Sequence, residues 1–364
     1  MSSCATFPFA IPTLQTGGFT PNFGFCALNP IGAVTGAVVP EHYYGFVLPA
    51  WVPALFLNGT LTALLVLAAM NRLEDFPAHR AAALRGVTLL FAGLLVFFGN
   101  GIVLGIAPTT FAPLWMQMLF MLCIAAVLLL LFVPVLVTGD LEGWPQKRGW
   151  SPLRMFTQAS LPSGLPLALL LAFLTLGLTL WAVHLAPTAL GLRANSFAGL
   201  LPTHLGVAAP SSVSTRDVLN CLWQGALMLV LVVAGISGLG FLLSVLLNNR
   251  WSSLTLLYLA LILAIALPFF SYGVLRGTDA VAAAHSPAVN SLYLCPFYPL
   301  VQLSDTIHPG YAGIGHDDVA SGMIGFQSYP LWVGTGIVYG VIGLVSYGTG
   351  LAVLRRRRTA TRSA

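Results

Sequence analysis

The 364-residue chain is 57% hydrophobic and 7% charged, against roughly 25% charged residues in an ordinary soluble domain. That balance excludes a soluble globular protein and indicates a membrane protein. The net charge of +5 is no argument for nucleic-acid binding, because twelve of the fifteen lysines and arginines fall in segments assigned below to one side of the membrane.

Residues 1–44 come first, with "TGGFTPNFGF" and "ALNPIGAVTG" apolar but broken repeatedly by Gly and Pro. They read as an irregular or re-entrant outer segment. The first twenty residues hold no Lys or Arg, so no secretory signal peptide is evident. After them come stretches long enough to span. A bilayer core of about 30 Å takes roughly twenty apolar residues as a helix, because lipid cannot satisfy open backbone groups. Seven stretches qualify, at about 45–70, 85–107, 114–137, 165–186, 219–247, 254–275 and 331–354. Trp51, Trp115, Trp181, Trp223, Trp251 and Trp332 stand near their ends as interfacial anchors. The expected fold class is therefore all-α, a polytopic transmembrane helix bundle of about seven spans.

Alternate loops are basic. Arg72, Arg80 and Arg85 follow the first span, and Lys147, Arg148 and Arg154 the third. Arg250 follows the fifth, and Arg355, Arg356, Arg357, Arg358 and Arg362 the seventh. The intervening loops hold only Arg193, Arg216 and Arg276. The positive-inside rule then puts the C-terminus in the cytoplasm, with the last four arginines as topology anchor, and the N-terminus outside. An outer leader without a signal peptide leaves two expectations open. Either a short tail crosses with the first span, or the chain starts after preceding spans.

The connections divide the chain further. The expected cytoplasmic loop 138–164 mixes Trp144, Trp150, Met155 and Phe156 with Lys147, Arg148 and Arg154, and a short amphipathic helix from about Pro152 to Ser160 fits it. "NNRWSS" between spans five and six is tight enough for an antiparallel hairpin. The long outer loop 277–330 contains "LYLCPFYPLVQL", too short to span and apolar enough for a re-entrant helix. A weak repeat also exists: Asn29-Pro30 precedes Trp51, a long span and Arg72, as Cys295-Pro296 precedes Trp332, a long span and Arg355. Duplication and coincidence both remain open.

Catalytic constellations are absent by motif: no phosphate loop, no HExxH, no nucleophile elbow and no dinucleotide fingerprint. No cofactor is expected. The cluster His308, His316, Asp317 and Asp318 has ligand-type residues but reads better as a solvated loop. Cys4, Cys26, Cys123, Cys221 and Cys295 show no CxxC spacing, and spacing alone leaves open whether Cys26 and Cys295 pair. No acidic residue lies mid-span, which argues against a carrier built on membrane carboxylates. His184 reads as an interface residue rather than a relay. Asn58, Asn100 and Gln224 read as helix-to-helix hydrogen-bonding groups. Gly235, Gly238, Gly240, Gly334, Gly336, Gly340 and Gly343 allow close helix approach, within the chain or between two subunits.

The layout of spans two to seven resembles the permease of exporter-type (type 2) ATP-binding-cassette transporters. The likeness rests on the basic lead-in "NRLEDFPAHRAAALRG", an inner loop between helices two and three, the tight turn within "FLLSVLLNNRWSSLTLLYLALILAIALPFF", and the large outer loop before the last helix. "LYLCPFYPLVQL" is similar to that family's Asn-Pro-containing outer segment, with Cys295 where Asn is usual; "ALNPIGAVTG" fits it better. The resemblance covers residues 71–364 as a six-helix permease domain. It departs at the leader 1–44 and the extra N-terminal span 45–70, which together look like the end of a preceding permease half. It implies a non-enzymatic subunit of the plasma (inner) membrane that forms a translocation path. Its expected partners are a separate cytoplasmic ATP-binding subunit, a second permease subunit of the same or a different chain, and membrane lipids. Trp144, Lys147, Arg148, Trp150, Arg154 and Phe156 match the coupling position, where the basic members also suit anionic lipid. The alternatives are an ion-coupled secondary transporter and a non-transport membrane assembly protein.

Overall fold

The computed structural model describes residues 40–43, 46–49, 51–73, 81–105, 114–138, 164–197, 215–268, 270–271, 287–307 and 331–363. Two short strands, β1 (Pro40–Tyr43) and β2 (Phe46–Pro49), pair antiparallel with Pro40 opposite Pro49. Both prolines sit at the end of the ladder, where a missing N–H interrupts no rung. Among the described residues seven helices follow that are long and apolar enough to cross a membrane. They are α1 (Trp51–Leu73), α2 (Ala81–Gly105), α3 (Leu114–Val137), α4 (Gly164–Phe197), α5 (Thr215–Leu247), α6 (Arg250–Pro268) and α8 (Leu331–Ser363). Between α6 and α8 lie a 3₁₀ segment (Pro287–Leu294) and the short helix α7 (Phe297–Ile307). The chain is an all-α, multi-pass membrane protein.

The bounds differ from expectation in instructive places. The first span starts at Trp51 and not at 45, because Phe46–Pro49 is strand, and the residue before a proline is driven to extended backbone. The sixth runs Arg250–Pro268 where 254–275 was expected. Its start is fixed by a cap: Asn249 Oδ1 accepts from the amides of Trp251 at 2.9 Å and Ser252 at 3.4 Å. Asn248 takes a left-handed φ of 49° and its amide closes α5 on the Ser244 carbonyl at 3.1 Å. Asn is among the few residues that adopt this conformation readily. Two asparagines thus turn the chain between α5 and α6, which pack together as the expected hairpin. Asn249→Ala is expected to destabilise the protein by about 1 kcal/mol, read as a fall in the unfolding midpoint in lipid micelles. An unchanged midpoint would refute the cap.

The α3 and α5 spans form the centre, with 61% of an 18-residue apolar stretch in each buried, whereas in α1 the share is 17% and the helix lies at the periphery against α2. One continuous core joins Phe91, Phe98, Leu122, Leu129, Leu171, Leu222, Leu229 and Ile236. Phe91 meets Phe132 edge-on, with ring centroids 6.1 Å apart. The exposed apolar residues, such as Phe56, Phe173, Ile262 and Leu344, form the belt a bilayer would cover.

Helices α5 and α8 run parallel in the closest pairing of the bundle. Successive contacts step along both in the same direction: Gly336 against Leu231, Tyr339 against Gly235, Gly343 against Gly238 and Gly350 against Phe241. A Cβ at Gly238 would lie 2.6 Å from the Gly343 carbonyl oxygen and 2.8 Å from its Cα. Backbone therefore meets backbone there, a separation that only glycine permits.

Several hydroxyls within the spans donate back to their own helices, which satisfies the hydroxyl where no water can. Thr60 donates to Phe56 O, Thr88 to Leu84 O, Thr175 to Leu171 O and Ser253 to Asn249 O, at 2.6 to 2.8 Å.

Candidate functional site

Two ends of the bundle are chemically unlike. At one end α3 finishes, α4 begins, α5 turns into α6 and α8 finishes, and this end carries Arg250 and Arg355 to Arg358, whereas Arg193 and Arg216 lie toward the other ends of α4 and α5. The departure and return of the 139–163 segment are adjacent: a Cβ at Gly164 would lie 2.9 Å from Val137 Cα and 3.1 Å from the Leu136 carbonyl oxygen. The segment is thus a closed excursion from one point of the bundle. Thr138 caps α3, its amide at 3.2 Å and its hydroxyl at 2.8 Å both donating to the Pro134 carbonyl. Beside it, Arg250 Nη2 donates to the Val135 carbonyl at 3.4 Å. Cations near the last carbonyls of a helix are favoured by its dipole. Arg85 of α2 lies within electrostatic range of Arg250. Arg355, Arg356 and Arg357 are exposed at the end of α8, and Arg357 Nη2 reaches the Leu246 carbonyl at 3.5 Å. Arg358 continues the same helix.

The expected coupling residues Trp144, Lys147, Arg148, Trp150, Arg154 and Phe156 lie outside the described residues, as do the 152–160 helix, His308, His316, Asp317, Asp318, Cys4 and Cys26. What the structure fixes is where their loop is rooted. The glycines separate by partner. Gly235, Gly238 and Gly336 lie in the α5–α8 seam, whereas a Cβ at Gly240 would meet Val137 of α3 and Leu257 of α6. Gly340 is half-buried, and no neighbouring atom among the described residues lies within 4 Å of its Cβ position, so a methyl there would meet open space.

At the opposite end the 3₁₀ segment and α7 plug the bundle. Leu300 and Leu303 approach Leu122 over Gly225, and Tyr293 lies against Gly334. Gln302 Oε1 accepts from the Leu331 amide at 3.1 Å, capping α8, and the Tyr339 hydroxyl donates to the Leu294 carbonyl at 2.6 Å. The Ser271 and Ser291 hydroxyls lie 2.9 Å apart, tying the end of α6 to the plug. Cys295 is a buried free thiol. Burial pushes its pKa up, against the downward pull of hydrogen bonds from the backbone amides of Phe297 and Tyr298. It is therefore an inert helix cap more than a nucleophile. Burial likewise raises the Tyr293 phenol.

The intramembrane polar residues divide. Asn100 Nδ2 donates across to Thr179 Oγ1 of α4 at 3.3 Å, as expected of a helix-to-helix group. Asn58 makes no bond to another helix among the described residues: its amide donates to its own helix at Ala54 O, 2.8 Å away, on the peripheral α1 that packs against α2. Gln224 is half-buried and makes no side-chain hydrogen bond among the described residues. His184 lies on α4, its side chain outside the described ones. Asn100 Oδ1, Ser237 Oγ and Thr335 Oγ1 are buried without a partner among the described residues. No group of three or more His, Cys, Asp or Glu residues that could hold a metal occurs among the described residues.

Reading by residue type missed Tyr258, whose hydroxyl donates to the Leu131 carbonyl of α3. The signal was its spacing: Arg250 and Tyr258 are eight residues apart on α6, about two helical turns, and so share one face. Comparisons with protein-family models, curated proteins and solved structures gave no match to the chain.

Proposed function

We propose that the chain is the membrane-spanning permease subunit of an ATP-binding-cassette exporter. It would form the translocation path and take its energy from a separate ATPase subunit docked on the 139–163 segment. The observation that carries this reading is the rooting of that segment: it leaves and re-enters the bundle at Val137 and Gly164, beside the capped α5–α6 turn. Because the two ends of the segment are adjacent, a force on it reaches the ends of α3 and α4 together, beside the hairpin. The absence of mid-span acidic residues fits a path driven by a partner's ATP hydrolysis rather than by a proton or sodium gradient. In this reading the arginine end faces the cytoplasm of the plasma membrane. The exposed face of α8, with Val341, Leu344 and Val345, faces a second permease subunit or lipid.

The test is copurification from native membranes with a soluble ATPase subunit. Arg148→Glu combined with Arg154→Glu is expected to weaken association by about tenfold or more, since like or unpaired charges at an interface cost several kcal/mol. Unchanged association and unchanged transport would sink the coupling assignment. A reporter fused after Ala364 that is active only outside the cell would, by being active, overturn the orientation.

A further inference from the structure

The end of α3 is held at three points. Pro134 lies inside this helix and has no N–H, so the Leu130 carbonyl loses its helical donor and the helix is weakest at that point. Beyond it, residues 134–138 lead directly into the 139–163 segment. Arg250 donates to the Val135 carbonyl on the far side of the break, and Tyr258 donates to the Leu131 carbonyl on the near side. Val137 occupies the notch that Gly240 leaves beside Leu257: a Cβ at Gly240 would overlap Val137 Cγ2 and lie 3.1 Å from Leu257 Cδ2. Every one of these contacts comes from the α5–α6 hairpin, whose turn is fixed by Asn248 and Asn249.

We propose that Arg250, Tyr258 and the Gly240 notch form a latch that holds the end of α3 across the Pro134 break. When the latch opens, the base of the 139–163 segment swings about Pro134. The arrangement has the parts such a device needs. There is a weak point in one helix, a clamp spanning that point from a second helix, and a rigid hairpin carrying the clamp. Two side chains placed two turns apart on α6 grip carbonyls one turn apart on α3, so the clamp fixes the relative tilt of the helices as well as their separation. The phenol of Tyr258 has a further reason to stay engaged, since a hydroxyl within an apolar bundle needs an acceptor. The latch is a property of the bundle whether or not an ATPase docks on the loop. Its failure and the failure of the transport reading are therefore separate results.

Hydrogen exchange of the full-length protein in lipid nanodiscs tests it. Tyr258→Phe keeps the ring and removes only the donor. It is expected to speed exchange of amides 135–138 by about three- to tenfold, the size of one hydrogen bond, and to leave the α5 and α8 amides unchanged. Gly240→Ala, which displaces Val137 without touching either donor, is expected to do the same. Adding Pro134→Ala to Tyr258→Phe restores the missing rung and is expected to return the last turn to slow exchange. Unchanged exchange at 135–138 in both single variants would overturn the latch, and so would an equal rise across α8. Failure of Pro134→Ala to rescue would overturn the swing about Pro134.

Discussion

Gly238→Ala is expected to destabilise the protein while Gly340→Ala stabilises it, although both replace a glycine in a long apolar helix. Helix propensity alone favours alanine by up to about 1 kcal/mol at either site. At Gly340 nothing lies within 4 Å of the new methyl, so the propensity gain stands. At Gly238 the methyl would lie 2.6 Å from the Gly343 carbonyl oxygen and 2.8 Å from its Cα. No rotamer change relieves a clash with backbone, so α5 and α8 must separate along their length. Gly235 against Tyr339 and Gly350 against Phe241 would then loosen with it. The cost should reach about 3 kcal/mol, the upper part of the overpacking range, and Gly238→Leu should prevent stable folding. Unfolding midpoints in micelles of one lipid composition give the comparison. Equal shifts of the same sign at the two glycines would show that α5 and α8 are not in backbone contact at this point. Gly340→Leu adds a second reading. If a second subunit covers the exposed face of α8, that variant loses self-association while keeping its monomer midpoint.

The seven spans were legible because lipid leaves the backbone little choice: long apolar runs must be helical, whatever their side chains. The hairpin was legible from Asn248-Asn249, whose chemistry is local. What the residues did not disclose is which face of each helix meets which neighbour. In water an amphipathic stripe marks the buried face, but in lipid both faces are apolar and the stripe vanishes. Gly238 and Gly240 stand two residues apart and serve different helices, one against α8 and the other against α3 and α6; no hydrophobicity pattern separates them. The β-hairpin at 40–49 escaped notice because its strands are four residues each and bounded by prolines. For the candidate site, composition pointed to the basic loop, and its root at Val137 and Gly164 became visible only in three dimensions. Arg250 read as a topology residue and Tyr258 as part of a span. Their shared role depends on carbonyls of another helix, and carbonyls are the same in every sequence.

The other large effect is expected at Asn100, and it turns on counting hydrogens. The Thr179 hydroxyl donates to the Thr175 carbonyl at 2.9 Å, so its oxygen is free only to accept, which it does from Asn100 Nδ2 at 3.3 Å. The amide orientation is thereby fixed, and Oδ1 is left buried without a donor. Asn100→Leu removes one bond and one unsatisfied acceptor together, and Thr179 keeps its own bond. The change should therefore be small, within about 1 kcal/mol. Asn100→Asp does the opposite. An ionised carboxylate has no hydrogen for Thr179, and Thr179 can donate to it only by abandoning the Thr175 carbonyl. Three acceptors would then share one proton inside an apolar bundle. Asn100 is fully buried near one end of its span, an unpaired charge is expensive in such a place, and no basic residue lies near it in sequence on α2 or α4 to offset that cost. The conservative-looking substitution should thus be the damaging one. Unfolding midpoints of the two variants in the same micelles decide it: an Asn100→Asp protein as stable as Asn100→Leu would mean that water or a cationic group reaches Asn100, and that the α2–α4 interface is not the dry contact described.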